Sequence, residues 1–172
     1  MLKVDARFKT WLRSRLKDPV YTEEFVRRTA ELEDITITEI WPHAALPYPV
    51  ETDPELMIGM VKGHDNKQNT DFIVGIFGNG DEMGIVSNVY MSCFWEPYHP
   101  VTDEDFKNLP VLYEIGFTDQ DSDKAMFHVR YVRSSGDEIL DEDACKKYRL
   151  NLINTRNDTD LIKMITSGKK DA

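Results

Sequence analysis

The chain has 172 residues, of which 41% are hydrophobic and 10% aromatic, enough to pack one domain and to exclude wholesale disorder. Its 31 Asp and Glu against 21 Lys and Arg give a net charge of -10, which argues against direct nucleic-acid binding, since each phosphate contact needs a nearby cation. No apolar run reaches the ~18 residues of a membrane span, and the charged segment Leu2–Lys17 does not read as a signal peptide.

From the N-terminus, Phe8, Trp11, Leu12 and Leu16 form one apolar stripe at helical spacing. Arg7, Lys9, Arg13, Arg15 and Lys17 are predicted to project around the rest of that helix. Residues 1–17 hold six bases and the single acid Asp5, a local charge of +5 that leaves -15 for the remainder. Asp18-Pro19 ends the helix, because the residue before proline avoids the α region. Thr22, followed by Glu23 and Glu24, reads as the cap of a second helix running through Phe25, Val26, Thr29 and Leu32.

At Ile35 the period changes to two, and Ile35–Thr38 alternates as a strand. Pro42, Pro47, Pro49 and Pro54 then impose a long extended connection carrying Tyr48. Leu56–Val61, Phe72–Phe77 and Ile85–Trp95 read as strands buried on both faces, with Gly63–Thr70 and Gly78–Asp81 as connections. Thr102 caps a short helix. Leu112–Phe117 and Ala125–Val132 are further strands, joined by the polar turn Thr118–Lys124 as a hairpin. Tyr148, Leu150 and Leu152 alternate as a strand, although Ala144, Cys145, Tyr148 and Leu152 also fit a helix. Thr159-Asp160 caps a last helix that Gly168 stops, and Lys169–Ala172 is a polar tail. The expected fold is α+β: an N-terminal helical pair (1–34), then a sheet-rich body (35–168) with a mainly antiparallel sheet of about six or seven strands and short C-terminal helices.

The chemistry-bearing residues fit no template. Asp119, Asp121 and Asp123 open like a calcium loop, but Lys124 and Arg130 stand where such a loop needs glycine and glutamate. His43, His64, His99 and His128 lack metal-ligand spacing. His64-Asp65 is similar to the dipeptide of metal-dependent phosphohydrolases, yet it falls in a connection between strands rather than on a helix. Cys93 and Cys145 can supply neither a disulfide framework nor a four-ligand zinc site, and Cys93 lies in an apolar run unlike that of a nucleophile. No phosphate loop and no nucleophile elbow occurs. No catalytic, cofactor-binding or metal-binding residue is therefore assigned.

What remains is contact surface. Arg7, Trp11, Arg13, Arg15 and Lys17 on the first helix, with Tyr48 and Tyr98 at the proline-rich segments, are the candidate interface residues. The expected role is a non-enzymatic assembly protein that binds copies of itself or a protein neighbour, with its cationic helix against an acidic body. In its order of elements the chain resembles small phage head–tail joining and tail-terminating proteins, which also place an N-terminal helix before a sheet. That resemblance implies a virion component; a reducing cytoplasm is the other expected location. An acidic inhibitor that imitates nucleic acid through Asp119–Asp123 and Asp137–Asp143 is the alternative.

Overall fold

The computed structural model describes residues 1–41, 57–78, 98–99, 101–129 and 147–170. The Pro42–Pro54 connection with Tyr48, the strand over Ile85–Trp95 with Cys93, the acidic run Asp137–Asp143 and Cys145 lie outside the described residues.

Helix α1 (Ala6–Arg15) is capped by Asp5, whose carboxylate accepts the Phe8 N–H at 3.0 Å. That bond holds the Asp5 carboxyl below its ordinary pKa. Helix α2 (Pro19–Thr29) starts three residues before the expected Thr22. Asp18 is its cap, accepting the Val20 N–H at 3.0 Å, and Pro19 takes the first-turn position where a missing N–H costs nothing. The Asp-Pro pair that stops α1 thus also starts α2. Thr22 is instead buried, and its hydroxyl donates to Leu16 O at 2.7 Å, tying the end of α1 to α2. Helix α2 stops at Thr29, short of the predicted Leu32, and the chain turns through Glu31 at φ 57°.

The remaining elements are β1 (Ile35–Trp41), β2 (Met57–Asp65), β3 (Thr70–Phe77), α3 (Asp103–Lys107), β4 (Val111–Thr118), β5 (Met126–Val129), β6 (Tyr148–Asn154) and α4 (Asp160–Ile165). The six strands form one sheet in the order β1-β2-β3-β4-β6-β5. Pairs β1/β2, β2/β3 and β5/β6 are antiparallel, whereas β3/β4 and β4/β6 are parallel. The fold is α+β, with a mixed sheet whose centre is parallel.

Two connections depart from expectation. Strands β2 and β3 extend to Asp65 and from Thr70, so only residues 66–69 turn. Gly63 and His64-Asp65 therefore lie within β2. Gly63 is needed there: an added Cβ would sit 2.4 Å from the Phe72 ring and 2.6 Å from Thr36 O. The Thr118–Lys124 segment is not a hairpin, because β6 pairs between β4 and β5. Asn154 at the end of β6 donates to the carbonyls of Gln120, Ser122 and Lys124 and so holds that loop in place. The strand alternative over Tyr148–Asn154 is the one adopted, and Thr159 caps α4 with Gly168 at φ 82° beyond it.

Alternation sorts the strand residues onto two faces. Val61, Val74, Tyr113, Ile115, Phe117 and Ile153 meet Phe8, Leu12, Phe25, Val26, Ile162 and Ile165 from α1, α2 and α4 in one core. Met60, Ile73, Phe77, Leu112 and Leu150 are buried on the opposite face. Both faces of the central strands are thus dry, which explains their near-continuous apolar sequence.

Candidate interaction surface

The stripe predicted for α1 seats it across the sheet rather than along it. The chain enters with Leu2 N–H donating to Thr155 O beside β6 at 3.0 Å. Phe8 then meets Phe117 of β4 edge-on at 5.5 Å. Lys9 lies over Gly78, just past β3, and Arg13 donates to the carbonyls of Ile58 and Met57 in β2 at 3.3 and 3.1 Å. These four contacts follow the order of the strands. Helix α1 therefore spans the end of the sheet where the parallel strands β3, β4 and β6 finish.

The cations on this helix and its flanks divide into two groups. Arg13 is half-buried and spends its donors on carbonyl groups at the irregularity between Met57 and Gly59, so it does not project as predicted. Arg15 pairs with Asp18 at 3.1 Å, bonds Ser167 O and lies 4.6 Å over the Tyr21 ring. Lys3, Arg7 and Lys17 are exposed, and their side chains make no ion pair among the described residues. Trp11 is half-buried, stacked on Phe8 at 5.9 Å and edge-on to Tyr21 at 6.4 Å. It completes the core with one side of its ring. Burial pushes the Tyr21 hydroxyl well above its ordinary pKa, with Arg15 opposing, and that hydroxyl donates to Ile165 O.

The opposite end of the sheet is acidic. Glu31, Glu33 and Asp34 follow α2 there, Asp71 opens β3, and Asp103, Glu104 and Asp105 form α3 ahead of β4; all seven are exposed. Lys147 fixes α3 beside the start of β6 by donating to Lys107 O and Leu109 O at 2.7 and 2.6 Å. Part of the acidity is compensated locally. Lys67 meets Glu33 at 2.6 Å, and His128 meets Glu31 at 2.7 Å. His64 stands between Asp71 and Asn69, at 2.8 and 3.2 Å, and the Asp71 carboxylate raises its pKa above the ordinary imidazole value. Tyr98, a candidate interface residue, is 49% exposed at this same end, where burial of its ring and the charge of Asp71 raise its pKa. The candidates thus fall at two ends: Arg7, Trp11, Arg13, Arg15 and Lys17 at one, Tyr98 at the other, and Tyr48 outside the described residues.

Asp119 and Asp121, which open like a calcium loop, pair with Arg156 at 2.8 and 3.4 Å. Among the described residues no group of three or more His, Cys, Asp or Glu could hold a metal ion, and no helix is long and apolar enough to cross a membrane. Among the buried polar groups that escaped the sequence reading, two lie on neighbouring strands. Asn151 donates to Thr29 O at 2.8 Å, and Glu114 lies fully buried in β4. A charged residue in the apolar run Leu112–Phe117 is the signal that could have found Glu114. The chain matches no protein-family model, no curated protein and no solved structure.

Proposed function

We propose that this is a non-enzymatic assembly protein, and that α1 is the element through which it docks onto an acidic surface, in the first instance that of a second copy. The observation that carries the reading is the charge distribution along the strands: exposed Lys3, Arg7 and Lys17 flank or sit on α1 at one end, beside Asp119 and Asp121 paired with Arg156, and seven exposed acids lie at the other. Such a molecule can set the cations of α1 against the acids of a second copy, and head-to-tail contacts of that kind generate rings when the rotation closes. A ring-forming virion component of the head–tail joining or tail-terminating kind is the particular role we put forward, resting on the helical pair ahead of the sheet.

Arg7→Gln/Lys17→Gln is the discriminating variant, because neither side chain takes part in the internal bonds that occupy Arg13 and Arg15. Light scattering at low and high salt should show wild-type oligomers that weaken with salt, since exposed charges are screened within ~10 Å at 0.1 M. The double variant should be smaller at low salt. A wild type that is a strict monomer at every salt concentration refutes self-assembly. Salt-sensitive capture of a basic nucleic-acid-binding protein by that monomer would favour the acidic inhibitor.

A further inference from the structure

The second face of the sheet carries a carboxylic acid where nothing charged belongs. Glu114 sits in the middle of β4, in register with Gly75 of β3 on one side and Leu150 of β6 on the other. Its side chain is 0% exposed. One oxygen, Oε2, accepts the Tyr148 hydroxyl at 2.6 Å; the other, Oε1, has no hydrogen-bond partner among the described residues. The apolar side chains on the same face are Ile73 and Phe77 from β3, Leu112 from β4 and Leu150 from β6.

The charged groups facing it can be followed strand by strand. On β3, Asp71 shares the face, but it opens the strand four residues before Gly75, is exposed, and pairs at 2.8 Å with His64, which shares the face on β2. On β6, Tyr148 shares the face while Arg149 points to the other. On β2, Lys62 shares the face, but it stands two strands away, pairs with Glu39 of β1 at 3.7 Å and lies 4.8 Å over the Trp41 ring. A carboxylate at Glu114 would thus be desolvated on all sides with a single phenol to answer it. Burying an unpaired anion costs far more than burying a neutral acid, so the group resolves the conflict by holding its proton.

We infer that Glu114 is a proton-operated latch on the β4–β6 ladder, closed while its carboxyl is neutral against Tyr148 and loosened when that proton leaves to solvent. The neutral acid keeps the proton on Oε1 and accepts from Tyr148 with Oε2. Loss of the proton leaves a negative charge on the buried face that also carries Ile73 and Leu112. The energetics agree: burial raises the Glu114 pKa from 4.5 to about 7, and the Tyr148 hydrogen bond offsets only part of the rise. Below pH 4.5 both folded and unfolded chains carry the proton, and pH has no effect through this group. Between 4.5 and about 7 the unfolded chain releases it while the folded chain does not, so the folded state loses stability as pH rises through that window. Above about 7 the loss is complete, an unfolding constant raised on the order of a hundredfold.

Thermal unfolding of the full chain from pH 4 to 9, for wild type and Glu114→Gln, tests the stability effect. Wild type should lose melting temperature between pH 4.5 and 7.5, and Glu114→Gln, neutral at every pH, should lose most of that slope. His64 also favours the folded state less as pH rises, but it is present in both proteins, so the slope removed belongs to Glu114. The infrared difference between the two at pH 5.5 should contain the carbonyl band of a neutral carboxylic acid, which disappears by pH 9. Amide exchange over 112–117 and 148–153, corrected for its intrinsic pH dependence, should accelerate above pH 7 in wild type alone. Should Glu114→Gln fail to fold, Tyr148→Phe serves instead: without the donor that favours the anion, the infrared titration should move to higher pH. Equal slopes in wild type and Glu114→Gln, no neutral-acid band at pH 5.5, exchange that does not depend on Glu114, or an unmoved titration in Tyr148→Phe would each overturn the latch.

Discussion

The two faces of the sheet both bury a polar side chain near the middle of neighbouring strands, and the two are treated differently. On the helical face, Asn151 reaches from β6 to Thr29 O at the end of α2, so a hydrogen bond made inside the core fixes where the helix sits. On the other face, Glu114 has one donor for two oxygens. An amide has no proton to lose and ignores pH, whereas a half-satisfied acid makes its surroundings depend on a proton. The lesson is that burial alone does not define a polar group's role; whether it can ionise does.

The largest effect should come from the helical face itself. Phe25 and Phe8 are among the bulkiest fully buried side chains, and Phe25→Ala should cost about 3–5 kcal/mol in urea unfolding, the range for deleting a buried ring. Trp11→Ala should cost less than Phe25→Ala, because its ring is only half-buried; a larger cost would mean that α1, rather than α2, anchors that face.

Next comes the titration of Glu114. Its rise from 4.5 to about 7 corresponds to on the order of 3 kcal/mol of wild-type stability lost between those pH values. The helical face should be indifferent over the same range. Asn151→Ala should lower stability by roughly 1–3 kcal/mol, the cost of leaving the buried Thr29 carbonyl without its donor. That loss should be the same at pH 5 and pH 8 in paired urea titrations. If it follows pH, the two faces are coupled and the comparison fails.

The smallest change in stability belongs to Arg7→Gln/Lys17→Gln. Exposed charges away from packing contribute within about 0.5 kcal/mol, so its denaturation midpoint should match wild type while its assembly weakens at low salt. Arg13→Gln gives the contrast on the same helix. It removes donors from Met57 O and Ile58 O, and it should destabilise by about 1–3 kcal/mol, measured by the same urea titration.

Local order is where the sequence was readable. Phe8, Leu12 and Leu16 share a helix face whatever surrounds them, Thr159 caps α4 through its own hydroxyl 3.3 Å from the Ile162 N–H, and alternation over Tyr148–Leu152 is a strand signal within a few residues. Each rests on the 3.6- or 2-residue period of the backbone or on a hydrogen bond spanning three positions. Even the misplaced cap of α2 was local, since Asp18 competes with Thr22 for the same start and wins with proline behind it.

The sequence by itself therefore determined the α+β class, the helical pair, the identity of the apolar faces and the concentration of cations in α1. Only the tertiary structure decided that β6 separates β4 from β5 and that α1 lies across the strand ends, withdrawing Arg13 into the core boundary. It also placed a second dry face over Glu114. Strand pairing joins residues such as Leu112 and Tyr148 through contacts that depend on the whole sheet, and no local period encodes them. Burial follows from pairing, and the proton affinity of Glu114 follows from burial, so that property exists only in the folded chain.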